Sequence, residues 1–155
     1  MGLSSASGYW VSLAYWIFRR ISLGVFSRQK LWPRLWETYG EDVKLVKDMG
    51  RAYTESLQGS NLTSRQTVAA CLKSFVAYGL PQSGQDRTPA WIDERQMLEY
   101  FLPPFEESIR AGAVTVMVNP GDVNGIPGHA NYHLLTEILK EQYDFLGFAL
   151  SDWVR

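Results

Sequence analysis

A carboxylate closes the last apolar run of the chain, where Phe148-Ala149-Leu150-Ser151 is followed at once by Asp152. At a strand end such a group can serve as nucleophile, base or partner for a developing cation, or it can cap the next helix. Lys73 and Asn119 hold similar places towards the ends of two other apolar runs. Arg34 and Lys73 can each donate several hydrogen bonds to hydroxyls, and their charges would help keep a nearby carboxylate ionised. Taken alone, either reads as a surface or structural cation. His129 and His133 have the i, i+4 spacing of helical metal ligands, but His129 precedes the expected cap at Asn131 and no third ligand is evident, so no metal is expected. The glycines between 121 and 125 lack the spacing and the following lysine of a phosphate loop. Asn61-Leu62-Thr63 is a sequon for N-glycosylation, meaningful in a secreted chain. The one cysteine, Cys71, cannot form an internal disulfide and reads as a buried, inert thiol.

The elements that must position these groups follow from apolar periodicity. A helix is expected over 42–57, with Leu45, Met49, Tyr53 and Leu57 recurring at i+4 on its inner face and Gly59 as its stop. Residues 67–78 read as a buried strand, followed by a loop at 82–91. Asp93 should cap a helix whose apolar face is Met97, Leu98, Phe101, Phe105 and Ile109, interrupted at Pro103-Pro104. Residues 113–119 form a second buried strand, Asn131 caps a helix carrying Leu134, Ile138 and Leu139, and 148–151 is the last strand. Strands alternating with helices imply a parallel sheet, whose strand C-termini form the ligand-binding edge in both closed barrels and open sheets. Periodicity does not choose between those two.

The 155 residues suit one domain, and 46 % hydrophobic with 20 % charged residues places the chain among globular proteins. A net charge of −1 lacks the basic surplus of a nucleic-acid binder. The 6 Trp, 8 Tyr and 7 Phe would suit sugar-binding faces, but composition alone favours ordinary core and interface packing. In the atypical segment 1–30, the apolar run at 9–18 precedes Arg19-Arg20, the reverse of a secretory signal, and falls short of the ~20 apolar residues of a membrane span. No membrane association is expected, and the compartment stays open.

Several motifs then agree, in order and spacing, with one family. LWPRLWETYGED at 31–42 resembles the W-x-R-x-x-E-T-x-G-E-D signature of glycoside hydrolase family 3. Gln58-Gly59 follows, and CLKSFVAYG is similar to the family's K-H-F/Y strand. GQDRTPAWIDERQMLEYFLPPFEESIRAGAVTVMVN resembles its stretch leading to a Val-Met strand, and GDVNGIPGHANYHLLTEIL and GFALSDW close the match. The resemblance implies an α/β fold, a partial (β/α) TIM-type barrel over 31–155, truncated at both ends relative to the ~250 residues of a full barrel. It implies cofactor-free, retaining hydrolysis of β-linked sugars with Asp152 as nucleophile. It also implies that Arg34, Lys73 and the adjacent Ser74 contact the substrate, and that Met117 lines the sugar site, although a core methionine is an equal reading.

Two departures stand out. The family has His where this chain has Ser74, and many members have Tyr where it has Pro120. No glutamate is an evident general acid/base, and the family's aspartate that grips the outer sugar hydroxyls has no counterpart in 1–30. The expected substrate is the non-reducing end of a β-linked glucoside or oligosaccharide, as for a β-glucosidase or β-xylosidase. The alternative is a noncatalytic remnant with weak sugar-binding or interaction ability, and an incomplete barrel would associate through its open strand edges.

Overall fold

Helix α1 (Val43–Gln58) starts where the Asp42 carboxylate accepts the Leu45 N–H at 2.8 Å and stops at Gly59, whose φ is 54°. This computed structural model describes residues 26–152; the apolar run at 9–18 and Trp153 lie outside the described residues. The extent of α1 agrees with the periodicity, but its inner face does not. Leu45, Met49 and Tyr53 are 47, 37 and 36 % exposed, and the buried stripe is Val46, Gly50, Thr54 and Gln58. The reason is close helix packing. A Cβ on Gly50 would stand 2.7 Å from Ser108 Oγ on the facing helix, so a larger residue there would force the two apart.

Strand β1 (Cys71–Phe75) is buried throughout and shorter than the run 67–78 suggested. Beyond the loop, Asp93 accepts the Gln96 N–H at 2.9 Å to cap α2 (Glu94–Gln96), which widens into a π-helical turn over Met97–Phe101. Leu98 is 45 % exposed and does not join the apolar face. The double proline restarts the chain as α3 (Pro103–Arg110), since Pro fits a first helical turn but cannot continue an existing one. Strand β2 (Thr115–Val118) is buried at every position, as expected of a parallel strand covered on both faces.

The hairpin β3 (Asp122–Val123) and β4 (Ile126–Pro127) turns through Asn124-Gly125, both at positive φ, the pattern of a tight two-residue β-turn. The Asn124 carboxamide accepts the Ile92 N–H at 2.8 Å and donates to the Ile92 carbonyl at 2.7 Å, docking the hairpin on the preceding segment. Asn131 accepts the Leu134 N–H at 3.1 Å at the entry to α4 (His133–Gln142), a π-type helix that buries Leu134, Ile138 and Leu139. Strand β5 (Phe148–Leu150) ends the described fold.

The sheet is parallel in the order β1-β2-β5, with Leu72 opposite Val116 and Met117 opposite Leu150. Its core runs through Leu72, Phe75 and Val116 to Phe105, whose ring meets Phe75 edge-on at 5.1 Å. Gln58 joins the layers. Its amide donates to the Gly112 carbonyl at 2.6 Å and accepts the Ala70 and Val114 N–H groups at 3.0 and 3.3 Å, tying the end of α1 to the starts of β1 and β2. No helix among the described residues is long and apolar enough to cross a membrane.

Candidate active site

Arg34 stands at the head of the 3-10 turn Leu35–Glu37. That turn folds Glu37 back so that both carboxylate oxygens meet the guanidinium, at 3.0 Å from Nε and 2.7 Å from Nη2. Nη1 donates to the Tyr78 hydroxyl at 2.8 Å, and the guanidinium lies over the Tyr78 ring at 5.3 Å. Having accepted from Arg34, the phenol donates to Asp86 Oδ1 at 2.8 Å, and the same oxygen accepts Trp32 Nε1–H at 2.9 Å. The Trp32 and Tyr78 rings meet edge-on at 5.2 Å. Three of the five guanidinium N–H groups are thereby held by described residues. Burial works against the Arg34 charge, but Glu37 and Tyr78 outweigh it and raise its pKa.

Lys73 comes from the middle of β1 and is 8 % exposed. Burial and the neighbouring Arg34 charge lower its pKa, while Glu37 and Asp152 pull the other way. Lys73 thus feels the charges of Arg34, Glu37 and Asp152. Asp152 follows β5 with its side chain 25 % exposed, and Arg87 Nη2 reaches its Oδ2 at 3.4 Å. Met117 is buried on β2, the strand between those that deliver Lys73 and Asp152. Ser74 is buried beside Lys73 on β1.

Asn119 shares the strand-end position of the site residues but is spent on the backbone. Its Nδ2 donates to the Val76 carbonyl at 2.7 Å, and its Oδ1 accepts the Gly121 N–H at 2.8 Å. His133 contacts Glu137 and Glu94 at 2.5 and 3.3 Å, and no group of three or more metal-binding side chains occurs among the described residues. A cleft of about 310 Å³ lined by Ser27, Arg28, Thr38 and Tyr39 contains none of Arg34, Lys73 and Asp152.

The sequence profile of the "Glycosyl hydrolase family 3 N terminal domain" matches residues 25–155. The chain belongs to glycosyl hydrolase family 3. It is 42 % identical over 145 residues to a lysosomal beta glucosidase of Dictyostelium discoideum, covering 89 % of this chain and 17 % of that protein. It is 30 % identical over 126 residues to a periplasmic beta-glucosidase of Salmonella typhimurium, covering 81 % of this chain and 16 % of the relative. The crystal structure of the beta-glucosidase from Listeria innocua in complex with glucose superimposes with a TM-score of 0.83 at 32 % identity, covering 86 % of this chain and 19 % of that one. The family 3 chain thus spans less than a fifth of the length of these relatives.

Within the family 3 frame, sequence reasoning found the strand-borne charges and missed their supports. Trp32 and the buried Tyr78 lie inside the family motifs, but nothing in the residue order pairs either of them with Arg34 or Asp86. Asp86 and Arg87 sit in a loop without periodicity, where nothing in the residue order pointed to Asp152. Chemically, the residues offer a carboxylate paired with Arg87, and the half-buried Arg34 and buried Lys73 as cations on neighbouring segments. That suits a polyhydroxylated ligand and a positive charge developing beside the carboxylate.

Proposed function

We propose that this chain supplies consecutive βα units of a (β/α) barrel that carry the nucleophile side of a retaining β-glycosidase site. The observation that carries the reading is the position of Asp152 at the C-terminal end of β5, beside Arg87 at 3.4 Å and within the field of Lys73. The carboxylate is the group that can attack an anomeric carbon, and Arg87 beside it is a fixed partner for its charge. In the first step Asp152 forms an ester to that carbon as its bond to the leaving oxygen breaks, and a general acid outside the residues identified here protonates that oxygen. In the second step the same group deprotonates water, which attacks the anomeric carbon and frees Asp152. Arg34 and Lys73 hold the sugar hydroxyls, and Met117 forms apolar wall. Ser74 adds a small neighbour to Lys73.

The substrate class is a β-linked glucoside or short β-oligosaccharide cleaved at its non-reducing end. The relatives' names support this, as do the Listeria structures with glucose and, in a mutant, laminaribiose. The test is a hybrid in which residues of this chain replace the matching segment of the Dictyostelium relative. A 2-deoxy-2-fluoroglucoside with an activated leaving group should label the GFALSDW peptide, and Asp152→Asn should abolish both label and turnover. A label on Asp86 or Asp122 would refute the assignment. Sugar binding without any label would favour the noncatalytic reading, to which Ser74, in place of the family's His, also points.

A further inference from the structure

Between α1 and β1 the chain crosses the surface in a loop that contains Asn61-Leu62-Thr63, with all three residues exposed. It is the one Asn-x-Ser/Thr triplet in the sequence, and neither Leu62 nor the following Ser64 is a proline. The loop holds the triplet in a defined shape. Asn61 Oδ1 accepts both the Thr63 N–H at 2.9 Å and the Thr63 hydroxyl at 2.7 Å. The Asn61 carbonyl accepts the Ser64 N–H at 3.1 Å and the Thr67 hydroxyl at 2.9 Å, which fixes the turn from behind. Asn61 Nδ2 makes no hydrogen bond among the described residues, so the carboxamide nitrogen is presented outwards while its oxygen is held.

We propose that Asn61 is an N-glycosylation site that accepts an oligosaccharide from a lipid-linked diphosphate donor. The bond that forms joins Nδ2 to the anomeric carbon of the donor. The bond that breaks joins that carbon to a diphosphate oxygen, which leaves with the electron pair as the lipid diphosphate. One Nδ2 proton passes to a carboxylate of the transferase. Two hydrogen bonds drawn onto Oδ1 pull electron density from the carboxamide and favour loss of that proton, which gives the Thr63 hydroxyl a chemical part rather than a purely steric one.

The placement is compatible with the proposed site. The loop precedes β1, so it lies at the N-terminal edge of the strands, whereas Asp152 follows β5 at the opposite edge. The five residues of β1 separate the two edges by roughly 17 Å at about 3.3 Å per residue. A glycan at Asn61 extends away from the charged cluster and covers the exposed Leu62 instead.

The experiment is secretion of the full chain from a eukaryotic cell behind a cleavable leader, followed by peptide mapping. One glycan is expected on the peptide containing Asn61, removable by a glycoamidase that leaves aspartate at that position. Asn61→Gln and Thr63→Ala should each abolish it, and Thr63→Ser should keep it because the hydroxyl is retained. Attachment occurs during translocation, so the readout does not depend on a stable final fold. A secreted chain with no glycan, a glycan on another residue, or full occupancy in Thr63→Ala would overturn the proposal.

Discussion

Replacing Gln58 by Met tests the idea that one side chain ties the layers together. The thioether keeps the length and apolar stem but can neither donate to Gly112 nor accept strongly from Ala70 and Val114. Ala70 is fully buried, so its N–H cannot turn to water and costs about 1–3 kcal/mol when left unpaired. Val114 is half-buried at the longer distance of 3.3 Å, and Gly112 is exposed and can be solvated, so each adds only about 0.5 kcal/mol. The sum is about 2–4 kcal/mol. Hydrogen exchange read by mass spectrometry reports it locally, because each ~1.4 kcal/mol is a factor of about ten in the opening equilibrium. The peptide spanning β1 should therefore exchange roughly 30- to 1000-fold faster than in the parent chain. Gln58→Glu retains the acceptor and should lose much less protection at Ala70. Exchange in Gln58→Met within about threefold of the parent, some 0.7 kcal/mol, would show that these amides are protected by something else and refute the reasoning.

Gly50→Ala should destabilise the chain by about 1–3 kcal/mol although Ala is the better helix former, and the effect should shrink when combined with Ser108→Ala; urea midpoints of the two variants and the pair decide it. His133 has a raised folded-state pKa, chiefly through Glu137 and then Glu94 and against the opposing effect of burial. Its contribution is therefore present below the unfolded pKa of about 6.5 and lost as pH rises through the folded value, so His133→Asn should cost less than about 1 kcal/mol at mildly acid pH and nothing in alkali, as read from paired melting curves. In the hybrid enzyme, Tyr78→Phe should raise KM for a glucoside by about 3- to 10-fold with a smaller change in kcat, because it loosens Arg34 without touching Asp152. Light scattering should show that the isolated chain associates, since Leu146 and Phe148 beside the edge of the sheet are 91 and 62 % exposed; a monodisperse monomer would contradict this.

The order of strands and helices was legible because each element carries a local signal, such as Asp42, Asp93 and Asn131 as caps and Pro103 as a restart. The face of α1 was not. Hydrophobicity favours Leu45, Met49 and Tyr53, but close contact between helices favours Gly50 and Thr54, and only the neighbour's identity decides between them. The charged cluster shows the same division. Lys73 and Asp152 stand out as charges in or after apolar runs, yet Asn119 carries the same signature and turns out to satisfy backbone groups. Arg87 gave no signal because its role depends on a contact across 65 positions of sequence.

Asp86 and Arg87 are neighbours on one loop but answer to different masters. Asp86 is moored to Trp32 and Tyr78, the second of which also holds Arg34, while Arg87 extends to Asp152. Arg87 is therefore held from both sides, by the anchored Asp86 before it and by Thr88 after it, whose hydroxyl donates to the Gln82 and Gln85 carbonyls at 2.6 and 2.7 Å. The loop thereby links the surroundings of Arg34 to those of Asp152. Anyone transplanting or redesigning that loop has to carry Trp32 and Tyr78 with it. Residues 82–88 moved alone into a frame without Trp32 and Tyr78 would leave Asp86 unmoored, and a carboxylate at the end of β5 would lose the cation that Arg87 brings.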